Sequence, residues 1–302
     1  MDKTDLLLCM QLLNNSRMPY RALAAKLNLS VNAVHKRVQL LIQSGVLRTF
    51  TTGLTLHYLG ASQVTGFGPT GLDSIDDLVA RAKANDLIYW LAFAGANYIY
   101  VGAYLRNISE LGAFTSFLGK ELGMTNPTVG LMPGPSAKAK VKELTPMDWR
   151  IIHALSRNSR KQISEIAKEL RLSAKTIYRR LDRLKQESII EFSCEWYPDK
   201  SNDIMPLIHL SLKTTSDRKA VAQRLLAKYW PNLLFFFEFS NLPQLLVAFS
   251  WTNSMKEVQK LRDELQTDPD LKQVTVNILF NGLIFPTWRD KLVLEMAGAG
   301  SA

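Results

Sequence analysis

The chain has 302 residues with 47% hydrophobic and 21% charged side chains, enough for several small domains with proper cores and far from a disordered or fibrous composition. Its two cysteines, Cys9 and Cys194, exclude a disulfide framework and fit a reducing, cytoplasmic setting. The formal net charge of +10 is uneven: residues 1–50 carry +5, 51–135 carry −2, 136–200 carry +6 and 201–302 carry +1. A basic surplus confined to two segments is the electrostatic footprint of a nucleic-acid binder.

Those two segments are copies of one another. Residues Asp5–Leu47 and Asp148–Ile190 align without a gap at a spacing of 143. Asp5 matches Asp148, Asn15-Ser16-Arg17 matches Asn158-Ser159-Arg160, and Leu27-x-Leu29-Ser30 matches Leu170-x-Leu172-Ser173. Arg37 likewise matches Arg180. A repeat of this kind has to be read first, because it decides the architecture.

In chain order, Met1 to Asp5 is too polar to open a signal peptide. Thr4 is a candidate N-cap, and Leu6, Leu7, Met10 and Leu13 make an apolar stripe at helical spacing. Asn14-Asn15-Ser16 breaks that helix, and a second runs from about Tyr20 to Leu27. Ser30 caps a third, from Val31 to about Ser44, which Gly45 stops. Val46 to Thr51 has the β-branched, alternating look of a strand.

The pattern then changes. Leu54 to Val64 predicts a strand, Leu72 to Asn85 a helix, and Ile88–Ala94 with Tyr98–Tyr104 a hairpin. Ser109 to Leu122 predicts a helix and Thr128 to Met132 a strand. Leu87 to Leu105 lacks any charge and matches a membrane span in length, yet it reads as two buried strands joined at Gly95-Ala96-Asn97. Its counterpart, Leu233 to Trp251, holds Glu238, Asn241 and Pro243, which a bilayer would not accept, so no membrane partner is expected. Pro133 to Lys138 is a linker candidate.

The second copy repeats the order. Thr145-Pro146 opens a helix, Ile163–Leu170 and Ala174–Glu187 follow, and Ile189–Ser193 predicts a strand. Leu207–Lys213, Asp217–Tyr229, Leu233–Phe239, Leu245–Phe249, Ser254–Leu265 and Val274–Phe280 then predict strand, helix, hairpin, helix and strand. The tail from Ala297 to Ala302 shows no packing pattern. The β-α-β-β-α-β order is the ferredoxin-like arrangement. The expected class is therefore α+β: two plain or winged helix-turn-helix domains (1–52 and 143–196) alternating with two ferredoxin-like domains (53–134 and 197–296), with 135–142 as linker.

In a helix-turn-helix the third helix enters the major groove. A period of 3.6 turns Val34, Val38, Leu41, Ile177, Leu181 and Leu184 inward. It leaves Asn32, Ala33, His35, Lys36 and Gln39 outward in the first copy, and Lys175, Thr176, Tyr178, Arg179 and Arg183 in the second. Lys and Arg suit guanine acceptors, Asn and Gln adenine, and a Thr methyl thymine. The N-cap Ser30 and its counterpart Ser173, at the end of the second turn, join this expected DNA-binding set. Arg37 and Arg180 are expected to meet phosphates or brace the fold, and Arg17 and Arg160 are phosphate candidates. Because the two faces differ, an asymmetric or degenerate site is expected rather than a perfect palindrome.

The run Leu23-Ala24, Leu27, Leu29-Ser30, Val34, Arg37-Val38, Leu41, Gly45-Val46 resembles the Lrp/AsnC (feast/famine) regulators. The β-α-β-β-α-β unit after it is similar to that family's effector-binding and oligomerisation domain. The resemblance covers nearly the whole chain, twice. It implies a covalent pseudo-dimer of a unit that ordinarily pairs through its sheet domains, with double-stranded DNA as partner. A small-molecule effector and a second copy of the chain are further candidate partners. The family's hairpin carries a Gly and an Asp near its amino-acid site; here Gly95, Asn97 and Asn241 stand there, and the carboxylate is absent from both copies. Asn97 retains the capacity to accept a hydrogen bond.

Two other readings fit parts of the sequence. Some relatives of the family resemble decarboxylases of tetrapyrrole precursors, which would call for His and Arg over an apolar pocket; His57 and His209 both fall on expected first strands. A protein-interaction adaptor is the other, though it has no reason to keep Lys36-Arg37 and Arg179-Arg180-x-x-Arg183 on the outward helices. No metal-ligand spacing, phosphate loop or nucleophile elbow is present, so no cofactor and no enzyme activity is expected.

Overall fold

A computed structural model describes residues 1–72, 74–95, 97–134 and 143–298. The expected linker, 135–142, lies outside the described residues. The first copy forms α1 (Lys3–Asn14), α2 (Tyr20–Leu27), α3 (Val31–Gln43) and β1 (Leu47–Leu54). The N-cap of α1 is Asp2 rather than Thr4: its carboxylate accepts the Asp5 amide at 2.8 Å, and Asp5 accepts the Asp2 amide in return. Ser30 caps α3 as expected, accepting from the Ala33 amide.

The predicted strand from Leu54 to Val64 is instead a one-turn helix, α4 (Leu56–Leu59), followed by β2 (Ser62–Pro69). Thr55 caps the turn and Gly60 ends it at φ 67°, a left-handed angle suited to glycine. Tyr58 and Leu59 pack against the core of the second helix-turn-helix, which accounts for the turn. His57 consequently sits on a helix, not on a strand. The order continues with α5 (Ile75–Ala84), β3 (Ile88–Ala94), β4 (Tyr98–Leu105), α6 (Leu111–Lys120) and β5 (Thr128–Leu131).

The second copy gives α7 (Pro146–Leu155), α8 (Ile163–Leu170), α9 (Ala174–Gln186) and β6 (Ile190–Trp196). It is followed by β7 (Met205–Leu212), α10 (Arg218–Tyr229), β8 (Leu233–Glu238) and β9 (Leu245–Ser250). The chain closes with α11 (Met255–Gln266), β10 (Leu271–Ile284) and α12 (Trp288–Met296). No helix among the described residues is long and apolar enough to cross a membrane.

The elements sort into two compact units. The first takes the described parts of 1–61, 135–200 and 286–302, so both helix-turn-helix copies share one body. Strands β1 and β6 pair antiparallel, with Thr51 opposite Ser193. Each strand also completes the other copy's core: Cys194 and Trp196 lie with Leu8, Leu12, Val34 and Val38, while Leu54 lies with Ile152, Ile177 and Leu181. The reciprocal exchange means neither head closes its core alone. Helix α12, which periodicity left unassigned, belongs here as well: Val293 and Leu292 pack on the second head, so the second sheet domain ends at Phe285 rather than at 296.

The second unit holds an eight-stranded sheet in the order β5-β2-β4-β3-β10-β7-β9-β8. It is two ferredoxin-like halves joined edge to edge through β3 and β10. That join explains why β10 runs on to Ile284: it pairs with β7 as far as Leu279, shifts register, then pairs with β3. The outer edge of β5 is also taken. The Ser240 amide donates to the Leu131 carbonyl at 2.8 Å, and the Asn241 side chain bonds both the Leu131 amide and the Val129 carbonyl at 2.8 Å. The Phe239 ring fills the space over Gly130, where a side chain would collide with it.

Candidate nucleic-acid interface

Each third helix is fixed by its apolar residues. Val34, Val38 and Leu41 on α3, and Ile177, Leu181 and Leu184 on α9, are buried as their spacing predicts. The opposite face is outward: Asn32, His35, Lys36 and Gln39 on the first head are exposed, as are Lys175, Tyr178 and Arg179 on the second. Tyr178 is the most open of the large hydrophobic side chains among the described residues, at 64%. Ala33 and Thr176 are only partly covered, one turn in from the caps Ser30 and Ser173.

Of these, the side chains of Asn32, Lys36, Gln39, Lys175, Tyr178 and Arg179 make no hydrogen bond or ion pair among the described residues. His35 meets only the edge of Tyr20, at 5.5 Å between ring centres. These side chains are available to a partner.

The arginines divide differently. Arg37 is drawn to the start of α1, bonding Asp5 at 2.7 Å and Asp2 at 2.8 Å. Arg180 reaches Asp148 at 2.8 Å and the Thr145 hydroxyl at 3.0 Å, and Arg183 reaches Asp148 at 2.8 Å. Of the two roles expected for Arg37 and Arg180, bracing is the one the geometry gives. Arg183, expected outward, is drawn into the same brace. The Asp148 carboxyl is fully buried. Burial raises its pKa, but the Thr145 hydroxyl and amide and the two guanidiniums outweigh that and hold it below the usual carboxylate range.

Arg17 and Arg160 do not point to a phosphate. Arg17 Nη1 donates to the carbonyls of Ser159 and, at 3.0 Å, Lys161. Arg160 Nη1 donates to the carbonyls of Ser16 and, at 3.2 Å, Met18. Between them the hydroxyls of Ser16 and Ser159 meet at 2.6 Å. Burial and the nearby Arg160 charge lower the Arg17 pKa. The two arginines are half-buried ties between the two copies of the repeat, spent on backbone oxygens. The sequence showed Asn-Ser-Arg in both copies, yet could not show that the copies face each other there.

The effector candidates are dispersed. Gly95 and Asn97 flank a hairpin tip, both at positive φ (49° and 56°), and the Asn97 carbonyl accepts the Thr70 amide at 2.7 Å. The Asn241 amide is consumed in sealing β5, which makes it a structural group. A feature the spacing missed lies on the inner face of the sheet. Tyr100 Oη stands 2.7 Å from His209 Nε2, and Asn277 Nδ2 donates to Tyr100 Oη at 2.7 Å. The Tyr100 hydroxyl thus bridges the two, accepting from the Asn277 amide and sharing a hydrogen bond with His209 Nε2 whose direction follows the imidazole tautomer. Phe67 closes edge-on at 5.1 Å, and Tyr98 lies at 6.2 Å. Burial pushes the His209 pKa down to about 4. Among the described residues no group of three or more His, Cys, Asp or Glu side chains could hold a metal ion.

Two outward-facing third helices on capped, buttressed heads define a helix-turn-helix DNA-binding protein. Residues 144–185 match the AsnC-type helix-turn-helix domain, and residues 1–48 match the winged helix-turn-helix DNA-binding family. An HTH-type transcriptional regulator of Pyrococcus horikoshii is 30% identical over 107 residues, spanning 34% of this chain and 71% of that protein. One of Pyrococcus furiosus is 29% identical over 117 residues, spanning 37% and 78%. The chain belongs to the Lrp/AsnC family of helix-turn-helix transcription regulators. Over its full length it is also similar to the crystal structure of the siroheme decarboxylase NirDL, with a TM-score of 0.62, 12% identity and 99% of both chains covered. That likeness shows a shared fold.

Proposed function

We propose that this chain is a sequence-specific DNA-binding regulator in which one polypeptide supplies both reading heads of a dimer. The observation that carries the reading is the sorting of basic side chains. Arg17 and Arg160 tie the two heads to each other and Arg37, Arg180 and Arg183 brace each head internally, while Lys36, Lys175 and Arg179 are left outward on the two third helices. An adaptor that had abandoned DNA would gain nothing from keeping those three uncompensated. The paired strands β1 and β6 tie the heads into one body, as a dimer interface would. Third-helix insertion then falls in successive major grooves, roughly 34 Å apart.

Fluorescence anisotropy with a mixed-sequence duplex across a salt series tests this. Counterion release gives a slope of log K against log salt of about −0.9 per phosphate neutralised. A slope steeper than about −5 is expected if both heads engage. No binding at low salt would end the regulator reading.

A second reading, an enzyme acting on a tetrapyrrole, draws on the siroheme decarboxylase fold and on a neighbour described in complex with an iron-uroporphyrin III analogue. His209 in an aromatic interior is the residue that favours it. Uroporphyrins are rich in carboxylates and need cations around them, and the groups that meet His209 are Tyr100, Tyr98 and Phe67. The chemistry favours the regulator. Absorbance titration with iron uroporphyrin separates the two: a stoichiometric spectral shift would support the enzyme reading.

A further inference from the structure

We propose that the two heads read chemically different half-sites, an A·T-rich one under α3 and a G·C-rich one under α9, so that the protein has a polarity on its operator. The inference rests on the DNA-binding reading above and deepens it.

The repeat spacing of 143 sets outward positions of the two helices in correspondence. Asn32 answers to Lys175, His35 to Tyr178, Lys36 to Arg179 and Gln39 to Asp182. The backbone frame is the same on both sides: α3 and α9 each run 13 residues, each begins at a serine N-cap, and each is pinned to the first helix of its head by an arginine–aspartate bond. Equal frames with unequal side chains differ in what they recognise, not in how they dock.

On α3, Asn32 and Gln39 place carboxamides at both ends of the outward stripe. A carboxamide pairs bidentately with the N6 and N7 edge of adenine, because it offers one acceptor and one donor side by side. On α9 the same two positions hold Lys175 and Asp182, with Arg179 between them. Lysine and arginine carry donors alone and match the two acceptors of guanine; a carboxylate carries acceptors alone and matches the amino group of cytosine. Asp182 is exposed and, among the described residues, its carboxylate accepts from Gln186 alone, at 2.9 Å. Facing a phosphate, that carboxylate would repel it; facing a cytosine amino group, it is satisfied. Arg37 and Arg180 are withdrawn alike to the first helix of each head and Arg183 to Asp148, so none of the three is left to bind phosphates at any sequence and the outward side chains carry the contrast.

The test is selection of binding sites from a randomised duplex pool with the full chain, at fixed salt. The expected result is a non-palindromic site with one half enriched in A·T and the other in G·C. The fivefold variant Lys175→Asn, Thr176→Ala, Tyr178→His, Arg179→Lys, Asp182→Gln (four exposed positions plus the partly covered Thr176) matches the two heads at every outward position named above. It should return a palindrome made of two A·T-type halves. Arg179→Ala alone should lose about 5- to 150-fold on the G·C half-site and little on a duplex mutated there. A palindromic site for the parent chain, or an unchanged site for the fivefold variant with an unaltered melting curve, overturns the inference while leaving DNA binding intact. Absence of binding to every duplex overturns the regulator reading, and this inference with it.

Discussion

The Ser16 and Ser159 hydroxyls meet at 2.6 Å, fully buried, where the two copies of the repeat face each other. One side chain appears on both sides of its own contact because duplication put it there. The backbone repeats the relationship: the Ser16 amide donates to the Phe192 carbonyl at 3.2 Å, and the Ser159 amide to the Phe50 carbonyl at 2.8 Å. Truncating one serine leaves the other hydroxyl buried without a partner, at a cost of about 1–3 kcal/mol. Truncating both removes the pair and should cost clearly less than the two single changes added. A double-mutant cycle by urea unfolding is expected to give a coupling of at least about 0.5 kcal/mol. Additive costs would mean the hydroxyls do not interact.

Arg17 and Arg160 separate stability from DNA affinity. Each guanidinium donates to two carbonyls of the other copy, so Arg17→Ala or Arg160→Ala should destabilise by about 2 kcal/mol, in the range for hydrogen bonds to charged groups. Lysine cannot reproduce the fork and should rescue little. The salt slope of DNA binding should stay that of the parent, within about one phosphate unit. A loss of slope without loss of stability would return these residues to the phosphate backbone.

The two heads should respond unequally to loss of their acidic anchors. Asp148 is buried and holds two arginines, so Asp148→Asn leaves both facing a neutral amide and should cost about 3 kcal/mol. Arg37 has two acidic partners, both partly open to solvent, so Asp5→Asn should cost under about 1 kcal/mol. Because the folded-state pKa of Asp148 is lowered, its contribution is present above the ordinary carboxylate range and is lost as pH falls through the folded value. Thermal melts from pH 8 down to pH 3 should show the Asp148→Asn deficit constant near neutrality and shrinking below about pH 4.

His209 acts in a different window. Its folded-state pKa of about 4 lies below the ordinary histidine value of 6.5, so the unfolded chain binds the extra proton between those values. Stability is therefore fully present above pH 6.5 and declines as pH falls towards 4, by up to roughly 3 kcal/mol. His209→Gln keeps a hydrogen-bonding group near Tyr100 and cannot titrate. Its melting temperature should fall less than that of the parent between pH 7 and pH 4.5. Parallel curves would show that the imidazole is protonated, or solvated, in the folded protein.

The sequence by itself determined what is local or periodic. The gapless repeat, the N-cap Ser30, the helix opening at Thr145-Pro146 and the inward rows Val34-Val38-Leu41 and Ile177-Leu181-Leu184 follow from turn chemistry and a 3.6-residue period, which act within one stretch of chain. The outward faces of α3 and α9 came from the same period. Only the tertiary structure decided what passes between copies. Strands β1 and β6 exchange cores, Arg17 and Arg160 turn to carbonyls of the other copy, and Asn241 seals β5. Tyr100 meets His209 across 109 residues, and α4 forms where a strand was expected because Tyr58 and Leu59 have a core to enter. A basic or amide side chain has the same composition whether it faces water, a phosphate or a backbone carbonyl. Which of them it meets depends on desolvation by groups far along the chain, and a period carries no information about those.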